Sequence, residues 1–473
     1  MFTSLGFWIF ALAVLLLHNT TRGRLQNAIL LAASYLLYVY FDWQFLLLLI
    51  AATTLTFVAG RNLAPTMRYR RLFFYAGILF DLGVLVFFKY AGFFTASISA
   101  ALNGAGTTAQ PYALNILLPL GLSFYIFRLL SYLFDVYSGR LAPTASWIDV
   151  ALYVAFFPQI AAGPIERATH FLPRLQVTRR LDQAQFVTGL TYIFVGLFYK
   201  IAIADPLAPM TERTFSNISQ LMPLDALAAI IWFSIRLYAD FAGYSALAIG
   251  FSTWFGLPAM ENFRQPYFSQ SITEFWTRWH ISLSTWFRDY LFYPLTRFLL
   301  KRLGRRFALA INAAGLLITM LVTGLWHGSS LTFSVWGLLH GVYLIWERLL
   351  ARPPTASPGR WQHRITVVFN ILVTQCLVAI AWVFFRAPTV QDALLFFQKL
   401  LAPNYALDSL WLRSVATPLI VLILFDVLLA RAVRVTAFWD LHLIWRVALL
   451  AVLVVALFIL GSSSSEAFVY VRF

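Results

Sequence analysis

Apolar residues run for helix-spanning lengths along most of the chain, and polar residues gather between the runs. A run of about 20 such residues crosses the hydrocarbon core as a helix. On this pattern spans are expected at 4–18, 26–41, 43–60, 72–90, 114–136, 186–204, 223–250, 308–326, 331–347, 365–385, 414–430 and 444–461. That makes about twelve crossings. Lipid offers no water to backbone groups, so spanning segments are helices or closed barrels. Runs that do not alternate, such as Val447 to Leu460, exclude a barrel. The expected fold is an all-α polytopic membrane protein without repeats, low-complexity tracts or a soluble domain. The stretches 99–112 and 352–361 read as connectors.

Two segments depart from simple crossings. Ala151 to Ile165 is apolar but short and is interrupted by Pro158, Gly163 and Pro164. Re-entrant backbone of this kind is tolerated where protein buries it or where it lines a cavity. Ile272 to Leu295 is rich in aromatics yet carries Glu274, Arg278, Arg288 and Asp289. It follows Ser271-x-x-Glu274, a capping-box signal for a helix start.

Composition agrees with the pattern: 61% of residues are hydrophobic and only 11% are charged, against about 25% charged in soluble domains. A net charge of +16 would suit nucleic acid, but most Lys and Arg residues cluster in alternate loops. The clusters fall at 22–24, 61–71, 140–180, 264–306, 348–364 and 431–446. Positive loops lie on the cytoplasmic side and meet anionic lipid. An even number of crossings then puts both termini outside the cytoplasm. The first apolar stretch has no basic residue before it and reads as an uncleaved span. The one cysteine, Cys376, lies in an apolar run, which rules out an internal disulfide and predicts a buried structural thiol.

Ionisable groups at membrane depth are costly and usually functional. His327, in Leu325-Trp326-His327-Gly328, ends a long apolar segment, and the adjacent glycine leaves room for a substrate. On a helix beginning near Ser271, Trp276, Trp279, His280, Leu283 and Phe287 share one stripe, with Arg278, Ser282, Thr285 and Asp289 opposite. His280 is then embedded among apolar groups, where burial favours a neutral ring; the alternative is a core histidine bonded to a backbone carbonyl. His340, in Trp336-Gly337-Leu338-Leu339-His340-Gly341, reads as packing, and His18, His170, His363 and His442 as edge or loop residues. Two deep histidines without a carboxylate or thiolate cluster are too few for a metal site, so no metal is expected. No Gly-x-Ser-x-Gly elbow or phosphate-binding glycine loop occurs. What remains is general-base catalysis, in which a neutral histidine takes a hydroxyl proton as that oxygen attacks an activated acyl carbonyl.

The run Phe275-Trp276-Thr277-Arg278-Trp279-His280-Ile281-Ser282-Leu283-Ser284-Thr285-Trp286-Phe287-Arg288-Asp289-Tyr290, followed by Trp326-His327-Gly328, resembles membrane-bound O-acyltransferases. The resemblance is to the bacterial branch of alginate O-acetylation and teichoic-acid D-alanylation proteins, and closest to the polysaccharide O-acetylation members. Supporting runs are Pro119-Leu120-Gly121-Leu122-Ser123-Phe124, Phe157-Pro158 through Gly163-Pro164-Ile165, Asp240-Phe241-Ala242-Gly243-Tyr244-Ser245 and Asn262-Phe263-Arg264-Gln265-Pro266-Tyr267. The resemblance implies a single membrane-embedded acyltransferase domain: N-terminal spans at 1–110, a catalytic core at 115–350, C-terminal spans at 351–461 and an aromatic tail at 462–473. It implies a ring of helices around a central tunnel, with re-entrant or interfacial helices. His327 would be the essential histidine and His280 the second active-site position. Lining candidates are Trp276, Trp279, Arg278, Ser284, Asp289, Trp326, Asp240 and Tyr244. The implied co-substrate is an acyl thioester, acetyl-CoA or an acyl-carrier protein, admitted from the cytoplasm; no bound cofactor is expected.

The tail Phe468-Val469-Tyr470-Val471-Arg472-Phe473 resembles the Phe-x-Tyr ending of such proteins. Tyr470 is thereby an acyl-relay candidate; the alternative is aromatic anchoring at the interface. Two departures bear on the polymer. Tyr293-Pro294-Leu295-Thr296-Arg297 stands where alginate-type relatives continue Ile-Pro-Leu-Gly-Gly-Asn-Arg, and Ala246 stands where an acidic residue often follows Gly-Tyr-Ser. The expected function is O-acetylation of a cell-surface polysaccharide from the bacterial inner membrane. Expected partners are a periplasmic SGNH-type acetyltransferase and polysaccharide-export machinery. D-alanyl, lipid or protein O-acyl transfer shares the chemistry, and a proton-coupled transporter or flippase is the rival from another class, although no second interrupted segment matches 151–165.

Overall fold

A computed structural model describes residues 2–104, 116–350, 360–403 and 409–432. Among them the chain is helical, without strands. Eleven of the expected spans coincide with helices; the twelfth, at 444–461, lies outside the described residues, as do Tyr470 and the aromatic tail. By length and hydropathy seven segments qualify to cross a membrane: Arg24–Arg61, Arg70–Asn103, Gln183–Ser216, Pro223–Trp254, Arg305–His327, Trp361–Arg386 and Trp411–Leu429, with Leu5–Thr20 a shorter apolar helix. The first of these holds two expected spans, broken by a tight turn at Trp43–Phe45. The helices at 122–137 and 331–350 fall outside the seven, the first because it has only 16 residues and the second because it is not apolar enough.

The chain divides into two compact units. The first comprises 1–193 and 247–260. Its helices are α1 (Leu5–Thr20), α2 (Arg24–Asp42), α3 (Leu46–Arg61), α4 (Arg70–Gly104), α5 (Leu122–Tyr137), α6 (Trp147–Ala155) and α7 (Ala168–Arg174), with most of α8 (Gln183–Leu197). Ser4 caps α1, accepting from the Phe7 N–H. On α2 the buried residues Asn27, Leu30, Leu31, Ser34, Leu37 and Tyr38 recur at helical spacing, while Leu36, Tyr40 and Phe41 are exposed. An outer face of Leu, Phe and Tyr suits hydrocarbon rather than water.

At the centre of this unit the interrupted segment, expected to be irregular, leaves α6 and runs without regular helix to residue 167. Buried side chains satisfy much of its polar backbone. Arg128 on α5, 1% exposed, donates to the carbonyl oxygens of Tyr153 (2.9 Å) and Pro164 (3.1 Å) and to Gln159 Oε1 (2.8 Å). Gln159 in turn donates to Ser252 Oγ at 2.9 Å, and the Tyr153 hydroxyl to the Glu166 carbonyl at 2.9 Å. Burial raises the Glu166 carboxyl above the ordinary glutamate range. Gly121, at φ +69°, sits so close that a Cβ would lie 2.1 Å from the Ile160 carbonyl oxygen, so only glycine fits.

The second unit comprises 194–246 and 261–473. A π-helical stretch, Phe198–Ala204, leads into α9 (Asp205–Ser216) and is followed by α10 (Pro223–Trp254), whose first part belongs here. Then come α11 (Ile272–Arg278), α12 (Ile281–Phe287), α13 (Tyr293–Leu303), α14 (Ala308–His327), α15 (Leu331–Leu350), α16 (Arg360–Arg386), α17 (Val390–Leu400) and α18 (Ser409–Ala432). The π-helical turn presents Lys200, which bridges Asp205 at 2.7 Å and Asp240 at 2.8 Å. The α14–α15 hairpin closes on glycines: a Cβ at Gly324 would lie 2.2 Å from the Phe333 carbonyl oxygen, and one at Gly337 2.3 Å from that of Met320. Small residues let helix backbones approach in just this way. Cys376, expected to be buried, is exposed; it shares the outward face of α16 with Leu372, Val373 and Ile380.

Arg128→Leu strips the donor from three buried acceptors, each orphaned acceptor costing roughly 1–3 kcal/mol. Gly121→Ala drives a methyl into the Ile160 carbonyl. Both variants should unfold at lower temperature in detergent, with Arg128→Leu yielding little monodisperse protein by size exclusion.

Candidate active site

The segment bearing His280 is not one helix. The capping signal holds: Ser271 Oγ accepts from the Glu274 N–H at 3.0 Å, and Glu274 reaches back to the Gln270 N–H at 2.7 Å. A second cap comes from far along the chain, where Glu347 on α15 accepts from the Thr273 N–H at 2.9 Å and hydroxyl at 2.8 Å. But α11 stops at Arg278, and His280 adopts φ +43°, ψ +54° before α12 begins. The expected continuous stripe is therefore corrected to two short helices meeting at a corner. A left-handed residue other than glycine costs roughly 1–2 kcal/mol, so something must hold the corner.

Asn262 holds it. Its backbone oxygen accepts from the Ile281 N–H at 2.9 Å. Its Oδ1 accepts from the Ser282 N–H (3.2 Å) and hydroxyl (2.9 Å) and faces His280 Nδ1 at 3.0 Å. Its Nδ2 donates to Ser245 Oγ at 3.1 Å. A backbone N–H can only donate, so the atom it meets is the amide oxygen, and the imidazole nitrogen facing that oxygen carries the proton. His280 is thereby the Nδ1–H tautomer, with its lone pair on Nε2. The ring is 0% exposed, and burial pushes its pKa down to about 3, so it is neutral as expected.

His327 ends α14 and is 4% exposed. Aromatic rings enclose it, with centroids at 4.8 Å (Trp326), 5.0 Å (Trp336) and 5.1 Å (Phe385). Trp326 also lies 6.3 Å from His280, which Phe241 meets at 4.6 Å and Phe263 at 6.4 Å. The structure thus gathers His280, Trp326 and His327 into one cluster, two imidazoles flanking one indole. Trp276 and Trp279 join its aromatic wall: Trp276 lies 5.9 Å from Trp336, and Trp279 stacks on Phe275 at 5.5 Å and meets Trp382 at 5.1 Å.

The polar candidates have structural partners. Arg278 pairs with Glu274 on its own helix, and Asp289 with Arg288 at 2.9 Å, both partly exposed. Ser284 Oγ donates to the carbonyls of Trp279 and His280, each at 3.1 Å, bracing the corner. Asp240 is held by Lys200. Tyr244 is buried beside Ser245. Asn262 is the working residue that the sequence does not single out, because it stands in a polar stretch beside Glu261, Arg264 and Gln265.

The buried imidazoles stand among aromatic rings, on helices whose outer faces suit hydrocarbon: the fold is that of a polytopic membrane protein. Comparison with known proteins agrees. Residues 138–385 match the MBOAT, membrane-bound O-acyltransferase family. The chain is 40% identical to a probable alginate O-acetylase of Azotobacter vinelandii over 389 residues, 80% of this chain and 73% of that one. It is 30% identical to a peptidoglycan O-acetyltransferase of Helicobacter pylori, covering 77% and 72%. Against a teichoic acid D-alanyltransferase of Bacillus subtilis the figures are 29%, 55% and 66%. The chain belongs to the membrane-bound O-acyltransferase family and is a multi-pass membrane acyltransferase.

Asn262→Leu leaves three donors without their acceptor and should destabilise the protein by roughly 3 kcal/mol or more. Asn262→Asp keeps the acceptor and should lose less. Thermal unfolding in detergent ranks the two.

Proposed function

We propose that this enzyme takes an acetyl group from a cytoplasmic thioester, acetyl-CoA, and passes it across the bacterial inner membrane for O-acetylation of a cell-surface polysaccharide. The observation that carries this reading is the His280–Trp326–His327 cluster, lying within the matched residues of a chain whose relatives include O-acetylases of two surface polymers. The acceptor hydroxyl loses its proton to the neutral His327 imidazole as its oxygen bonds to the acyl carbon. The C–S bond then breaks, and the imidazolium returns the proton to the departing thiolate. His280, its Nδ1 proton engaged by Asn262, orients the reactants from the other side of Trp326.

The placement of His327 supports outward delivery. It closes a 20-residue helix that begins beside Arg305 and Arg306, about 30 Å away along the axis at 1.5 Å per residue. If those arginines mark the cytoplasmic face, the base works toward the opposite one, and both termini are periplasmic. On this reading Tyr470 takes the acyl group on its phenol oxygen and relays it to a periplasmic SGNH-type acetyltransferase working with export machinery.

His327→Ala should lower thioester consumption by roughly 10²–10⁴-fold with the fold intact, read as thiol release from acetyl-CoA by the reconstituted protein; unchanged release would remove His327 as the base. Mass spectrometry of the C-terminal peptide after incubation with acetyl-CoA should show a single acetyl adduct on Tyr470. An unmodified peptide during active turnover would eliminate the relay.

A further inference from the structure

His340, which the sequence presents as a packing residue, has the opposite protonation pattern from His280. Trp276 Nε1 lies 3.3 Å from His340 Nδ1. An indole N–H can only donate, so Nδ1 is the accepting nitrogen and the ring proton sits on Nε2. That Nε2–H has no hydrogen-bond partner among the described residues, and neither do the indole N–H groups of Trp336 and Trp382. All three side chains are essentially inaccessible, at 0%, 1% and 0% exposure. They also pack together: Trp336 lies 5.1 Å from His340 and 6.0 Å from Trp382, with His340 and Trp382 at 6.4 Å.

A buried donor without an acceptor costs roughly 1–3 kcal/mol, and three in one cluster is a concentration that native interiors avoid. The cluster adjoins the base, because Trp336 is 5.0 Å from His327 as well as 5.1 Å from His340. Its chemistry selects the ligand atom. Three neutral N–H groups match a neutral or developing negative oxygen. They do not match a metal, since the His340 Nδ1 lone pair is engaged and indole nitrogen offers none.

We propose that the His340 Nε2–H, with the Trp336 and Trp382 N–H groups beside it, receives the carbonyl oxygen of the acyl group during transfer. This rests on the acyl-transfer reading of His327 given above. When the acceptor oxygen adds to the acyl carbon, the C=O pair moves onto that oxygen, and a fixed donor in a water-poor site stabilises the charge most at that moment. His340 keeps its proton throughout. Trp276 is a positioning residue, holding the donor tautomer. The labour is thereby divided: His327 takes a proton, while His340 keeps its own and offers it as a hydrogen bond.

The test measures thiol release from acetyl-CoA by reconstituted wild type, His327→Ala, His340→Phe, His340→Gln and Trp276→Phe. His340→Phe should lower kcat by roughly 10²–10³-fold with KM nearly unchanged, since the bond forms in the transition state. Gln carries an N–H near the Nε2 position and should recover most of that loss. Trp276→Phe, which keeps the ring but frees the tautomer, should lose roughly tenfold. Wild-type turnover in His340→Phe or in Trp276→Phe, or Gln performing no better than Phe, overturns the proposal. Activity lost in His327→Ala but kept in His340→Phe sinks this proposal alone, whereas a wild type that releases no thiol, or an unimpaired His327→Ala, sinks the reading beneath it.

Discussion

One amide oxygen organises the active region. Asn262 Oδ1 gathers the Ser282 N–H, the Ser282 hydroxyl and the His280 ring N–H, and in doing so turns the chain at a residue in the left-handed region. Three hydrogen bonds to one buried atom, each contributing about 1 kcal/mol, offset the backbone strain of His280. They also choose the tautomer of its ring. The corner separates α11 from α12, with Trp279 stacked on Phe275 on one side of it and His280 brought to 6.3 Å from Trp326.

Around the corner the surroundings are aromatic rather than ionic. The charges of this unit neutralise one another elsewhere: Lys200 with Asp205 and Asp240, Arg236 and Arg386 with Glu212. The His280 imidazole stays uncharged because burial strips the charged form of its solvation. The apolar wall thus sets the resting state of that ring.

Much of this was legible in the chain. Hydropathy placed the spans because lipid demands long unbroken helices, and the described helices follow those runs. The Ser271–Glu274 cap and the interruption at 151–165 were legible because caps and prolines act locally. The histidines stood out because few ionisable groups occur at such depth. What escaped depended on distant partners. Asn262 lies 18 residues from His280 and Glu347 74 from Thr273, beyond any helical period, so the broken helix and its second cap could not be read. Arg278, Asp289 and Asp240 stand out by motif, and the motif does not show that each is held in an ion pair. Cys376 was misjudged because an apolar run in a membrane protein does not reveal which of its faces meets lipid.

The glycine contacts of the α14–α15 hairpin carry a mechanical consequence. With Gly324 and Gly337 seated against opposing backbone carbonyls, neither helix can slide or rotate without steric collision, so His327 and His340 ride on a single stiff strut. His280 stands on a separate support, the bend held by Asn262, so the two imidazoles beside Trp326 are carried by different parts of the chain.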